Sequence, residues 1–211
     1  MGPDWGKTRA GIEYELRRLR DRTFNGWRRR GWSSPAPPDV KWAVLRRHAI
    51  PDALWIETGT YRGDTTRFLS SIGREVISIE PEPNLAARAR ARLASLPNVT
   101  ILMGSSESLF SDIVMGLSGP CCFWLDGHYS AGVTYRGDTD TPVAHELSAI
   151  AQHVRRLGQV RIFVDDWRCF RPSSAEYADF PTKSQLVSWA DELNLSWTVE
   201  HDIFVAASQA S

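Results

Sequence analysis

Five carboxylates hold the chemistry in this 211-residue sequence. Glu57, Glu80, Asp126 and Asp165 each close an apolar run, and Asp166 follows Asp165 directly. Carboxylates that converge need a cation, or they raise one another's pKa. Hard oxygen donors suit Mg²⁺ or Ca²⁺, and Mg²⁺ keeps positions open for water or substrate. The predicted metal set is therefore Asp126, Asp165 and Asp166. Successive side chains of a strand point opposite ways, so Asp165 and Asp166 can share an ion only if the chain turns there. His128 stands two residues after Asp126. An imidazole can titrate near pH 7. Ligand, general base and substrate contact are all open to His128, and base ranks first. The predicted catalytic pair is His128 with Asp126.

The run that ends at Glu57 continues as Thr58-Gly59-Thr60-Tyr61-Arg62-Gly63-Asp64-Thr65-Thr66. Gly59 and Gly63 permit a tight turn and close approach to a ligand. The spacing is not the dinucleotide fingerprint G-x-G-x-x-G. Glu57 and Asp64 would repel a pyrophosphate, whereas a ligand with an amino group and a sulfonium would be attracted. S-adenosylmethionine has both. Glu80 lies 23 residues after Glu57, where an acid can accept hydrogen bonds from ribose hydroxyls. Gly104-Ser105-Ser106 follows the next apolar run, beside the place for an adenine.

These residues need a scaffold, and the hydrophobic pattern supplies one. Strands are predicted at 53–57, 75–80, 99–103, 121–126, 160–165 and 196–206. Helices are predicted at 39–49, 64–71, 84–96, 106–117, 141–157 and 182–193. Such alternation means an α/β fold with a mostly parallel, doubly wound sheet covered on both faces. Near-continuous apolar strands fit that burial. Ligands of an open α/β sheet sit outside the carboxyl ends of its strands, where the acids lie.

Composition narrows the classes further. The 25 basic and 25 acidic residues cancel, which disfavours a uniformly basic nucleic-acid binder. The balance is uneven, however. Residues 1–32 hold nine basic and four acidic side chains. Ile12, Leu16 and Leu19 there have helical spacing, and Trp5, Trp27 and Trp32 suggest a docking element. A Pro-rich linker at 33–38 separates this basic extension from residues 39–211, giving a predicted boundary after residue 38. The extension is expected to act as a dimer contact or as a lid over the substrate side. No apolar run approaches 18 residues, so no transmembrane segment is expected. The N-terminus lacks a secretory pattern, and Cys121, Cys122 and Cys169 read as buried core thiols in a reducing cytoplasm.

The loop from Glu57 to Thr66 resembles the first motif of class I S-adenosylmethionine-dependent methyltransferases. It is most similar to the E-x-G-x-x-x-G-x-S/T form of metal-dependent O-methyltransferases of the catechol, caffeoyl-CoA and macrocin types. The chain also resembles a group of small bacterial methyltransferase-like proteins through Leu125-Asp126-Gly127-His128-Tyr129-Ser130, Thr134, Gly137, Asp140-Thr141-Pro142 and Glu146-Leu147. The resemblance implies a Rossmann-like sheet with a final antiparallel strand. It implies metal binding by Asp126, Asp165 and Asp166. It also shows departures: His128 stands where many relatives have a second Asp, and no counterpart of the catechol-type catalytic Lys is evident. Loop and resemblance together give the predicted cofactor set of Glu57, Gly59, Thr60, Gly63, Thr65, Glu80, Ser105, Ser106 and Asp126. The expected activity is metal-assisted methyl transfer to a hydroxyl of a small polar acceptor, sugar-like or phenolic. N-methylation, metal-free transfer using His128, and a non-catalytic cofactor-binding module are the alternatives.

Overall fold

The computed structural model describes residues 23–127, 141–171 and 179–209. Helices α1 (Phe24–Arg29) and α2 (Pro38–His48) precede the first strand. Then follow β1 (Leu54–Thr58), α3 (Asp64–Ser70), β2 (Glu75–Glu80), α4 (Pro83–Leu93), β3 (Val99–Met103), α5 (Ser106–Gly116) and β4 (Cys121–Leu125). The chain continues as α6 (Val143–Leu157), β5 (Val160–Val164), a 3₁₀ turn at Trp167–Cys169, α7 (Lys183–Glu192), β6 (Ser196–Glu200) and β7 (Ile203–Ala207). The amphipathic stretch around Ile12, Leu16 and Leu19 lies outside the described residues, as does His128.

The seven strands form one sheet in the order β3-β2-β1-β4-β5-β7-β6. Neighbours among β1 to β5 are parallel, and β7 runs antiparallel between β5 and β6. Every residue of β1 and β4 is buried, as central strands covered on both faces must be. One face of the sheet carries α5, α6 and α7, with Phe110, Ile150 and Leu186 packed on Ile56, Phe123 and Ile162. The other carries α2 and α3, whose Val44, Leu45 and Leu69 pack on Trp55, Trp124 and Phe163. Cys121 and Cys122 fall into these opposite cores. That alternation is what adjacent strand residues impose. All three thiols are free and buried.

The single strand expected at 196–206 is instead a hairpin. The chain reverses at His201-Asp202, whose φ angles are +48° and +73°. Two consecutive residues with positive φ make the two-residue turn whose twist matches a hairpin. Trp27 of α1 is buried and meets the His201 ring at 5.5 Å, so the end of the basic extension rests against this turn. The predicted boundary after residue 38 falls within the first turn of α2, because Pro38 opens that helix. Among the described residues no helix is long and apolar enough to cross a membrane.

Candidate functional site

Parallel strands β1, β2, β4 and β5 point their carboxyl ends to one edge, and the acids gather there. Glu57 is fully buried in β1. Thr66 Oγ1 and Ser78 Oγ donate to its Oε2 at 2.5 and 2.6 Å. Its Oε1 is buried with no hydrogen-bond partner. Burial pushes the Glu57 carboxyl up to about 8, against the pull of the Ser78 and Thr66 hydroxyls. Glu80, on the adjacent strand, accepts from the backbone N–H of Tyr61 at 2.7 Å and of Glu82 at 3.0 Å. Burial raises its pKa as well. Thr60 Oγ1 lies 2.5 Å from Ser78 Oγ, tying the loop to β2.

The loop itself is held close to β4. Gly59 has φ +90°, and a Cβ there would lie 2.7 Å from the Asp126 carbonyl oxygen. Gly63 has φ +75° and caps α3 in the left-handed conformation. Thr65, in the first turn of α3, accepts from Trp42 Nε1 at 3.3 Å. A Gly59→Ala substitution therefore meets both a strained φ and a backbone clash. The expected cost is about 2 kcal/mol or more, read as a lower melting temperature. An unchanged melting temperature would mean that the loop does not pack on Asp126.

Ser106 opens α5 and is buried, and its hydroxyl donates to Glu146 of α6. Burial pushes the Glu146 carboxyl up to about 7. Ser105 is half-exposed at the N-cap of α5, with its hydroxyl 3.3 Å from that of Ser108. Glu146, Asp126 and Asp165 border a cavity of about 10 Å³ together with Phe170 and Phe180. That is room for about one water molecule.

The predicted metal residues do come together. Asp126, Asp165 and Asp166 offer oxygens all within 4.8 Å of one another. Asp166 has φ +56° and leads into the 3₁₀ turn, so the chain turns where the sequence required it. Two side-chain cations already serve this cluster. Lys41 of α2 donates from Nζ to Asp165 Oδ2 and lies 3.7 Å from Asp166 Oδ1. Arg168 donates to Asp166 Oδ1 at 2.5 Å and also to Asp202 Oδ2. Burial alone would lower the Lys41 pKa, but Asp165, Asp166 and Asp126 more than reverse that, so Lys41 stays protonated. Asp165 shifts upward because burial outweighs the pull of Lys41.

Lys41 and Glu146 were not among the predicted site residues. Glu146 carried a signal, since it belongs to the segment that supports the resemblance. Lys41 carried little, being 124 residues from its partner in sequence. Trp124, next to last in β4, is a core residue. Trp167 stacks on Phe204 at 5.5 Å and lies beneath Lys183.

No protein-family model matches this sequence, and no curated protein matches it by sequence. Solved structures match by fold. A candidate rRNA methylase from Clostridium thermocellum is 12% identical, with a TM-score of 0.53 over 79% of this chain and 93% of that one. A candidate methyltransferase from Streptococcus mutans, in complex with SAH, is 17% identical, with a TM-score of 0.49 over 83% and 97%. A SAM-dependent methyltransferase from Aquifex aeolicus is 14% identical, with a TM-score of 0.49 over 78% and 86%. Strand order, the antiparallel β7 and the first of these likenesses define a Rossmann-like methyltransferase fold.

Proposed function

We propose that this chain is an S-adenosylmethionine-dependent methyltransferase acting on a hydroxyl of a small polar acceptor. The observation that carries it is the pair of buried acids at the ends of adjacent strands. Glu57 holds an unpartnered oxygen, and Glu80 holds its carboxylate on the amides of Tyr61 and Glu82. Acceptors alone, at the carboxyl edge of a parallel sheet, suit a cationic ligand rich in hydroxyls. S-adenosylmethionine, when bound, supplies a methyl group on a positively charged sulfur.

The protein's part follows from the placement of its groups. Glu80 accepts from ribose hydroxyls, Glu57 ionises against the cationic end when the cofactor binds, and Gly59, Thr60, Gly63 and Thr65 shape the loop between them. Ser105 and Ser106 close the adenine side. Asp126 stands between this cradle and the cavity beside Asp165, where the acceptor hydroxyl is held. His128, two residues after Asp126 in the sequence, takes the hydroxyl proton. Such proton transfer contributes about 10²–10⁴-fold in rate, and positioning adds to it. The metal-assisted form expected from the sequence would place a metal where two side-chain cations already sit. Lys41 and Arg168 bond the Asp165 and Asp166 carboxylates, so no step here passes through a metal.

Labelled methyl transfer from S-adenosylmethionine into a small-metabolite extract tests the proposal. Label should appear in a polar small molecule only when the protein is present. Label found only in RNA or protein would overturn the choice of acceptor.

A further inference from the structure

We propose that the Lys41 ammonium is the resident cation of the Asp126–Asp165–Asp166 cluster, taking the place of a divalent metal. Three carboxylates within 4.8 Å of one another need positive charge among them. The protein provides it from its own side chains. Lys41 reaches in from α2, the helix that leads to β1, and donates to Asp165 Oδ2. The same ammonium lies 3.7 Å from Asp166 Oδ1. Arg168 Nη1 donates to that oxygen at 2.5 Å and also to Asp202 Oδ2.

Asp165 Oδ2 and Asp166 Oδ1, committed in this way, are poor metal ligands. A metal would have to displace Lys41 from Asp165 and compete with a guanidinium for Asp166. Two fixed positive charges would also repel it. The choice of residue fits the role. This chain has only three lysines, Lys7, Lys41 and Lys183, among its 25 basic residues. An ammonium is a compact point charge with three donors, whereas a guanidinium is a planar fork. At position 41 the compact cation sits among converging carboxylates. At position 168 a single guanidinium nitrogen, Nη1, donates to Asp166 and to Asp202 outside the cluster.

The Lys41 side chain is 16% exposed and Asp165 3%, so the pair is shielded from solvent and salt. Removing the ammonium should leave a concentrated acidic site whose Asp165 Oδ1 already lacks a hydrogen-bond partner. That vacated site should take up a divalent cation. Lys41 is thus a positioning residue. It holds Asp165 against Asp166 and Asp126 and keeps metal out.

Mn²⁺ titration followed by electron paramagnetic resonance tests this on the full chain, with Lys41→Met and Lys41→Gln compared with wild type. Wild-type protein should hold Mn²⁺ only at millimolar concentration. At least one folded variant should bind it at least tenfold more tightly, and adding Asp165→Asn to that variant should remove the gain. Stoichiometric micromolar Mn²⁺ binding by wild type, lost in Asp165→Asn, would overturn the assignment. So would folded variants that bind no better than wild type. Should neither variant fold, the wild-type titration still decides between the two. Mn²⁺ binding is read without turnover, so its outcome is separate from that of the methyl-transfer assay.

Discussion

Replacing Glu57 by Gln should flatten the pH dependence of stability. The folded-state carboxyl titrates at about 8 because it is buried, well above its ordinary value of 4.5. The folded chain therefore holds a proton between those values that the unfolded chain has released. Stability falls as pH rises through that window, since the native state binds more protons there. Each pH unit costs up to about 1.4 kcal/mol, and relaxation around the buried group reduces the sum. We expect wild type to lose about 2 kcal/mol between pH 5 and 8 from this group alone. Glu57→Gln cannot ionise, so its denaturation midpoints should vary much less over the same range. Ser78 and Thr66 can still donate to the Gln carbonyl. Equal slopes for the two proteins would show that Glu57 is ionised in the fold at ordinary pH.

Arg168→Ala should produce the second large effect. Asp166 and Asp202 are 5% and 8% exposed, and one guanidinium serves both. Removing one partner of a buried pair leaves an uncompensated charge and costs about 3–5 kcal/mol. The Arg168 side chain is 31% exposed, so water offsets part of this, and about 2 kcal/mol is expected. In a domain of this size that lowers the melting temperature by roughly 4–8 °C. Asp202→Asn in the same protein should recover part of the loss, because the two positions couple directly. A melting temperature within about 1 °C of wild type would mean that the β6–β7 turn is held without Arg168. The backbone bonds from Trp167 and Arg168 to Asp202 would then suffice.

The residues that were legible in the sequence share a physical reason. A parallel sheet buries its strands on both faces, so each run reads as apolar until its last residue. Glu57, Glu80, Asp126 and Asp165 marked those ends, and their shared edge followed from the topology. The turn at Asp166 was legible too, as the only way for two adjacent acids to converge. The hairpin at His201-Asp202 was not, because neither residue is the Gly or Asn that usually marks positive φ. Lys41 was hidden for another reason. Its helix precedes β1, and nothing local ties it to a strand end far along the chain. Converging carboxylates need a cation, and at this cluster Lys41 brings one as a side chain.

Calorimetric titration with S-adenosylmethionine tests the central claim most directly, using wild type and Glu80→Ala. Glu80 is the ribose acceptor of the proposed site, and charge-assisted hydrogen bonds contribute about 1.5–3 kcal/mol. Wild type should bind one equivalent, and Glu80→Ala, folded by its melting curve, should bind roughly 10- to 150-fold more weakly. Absence of binding by wild type, or equal affinity in the two proteins, would contradict the cofactor site at the ends of β1 and β2.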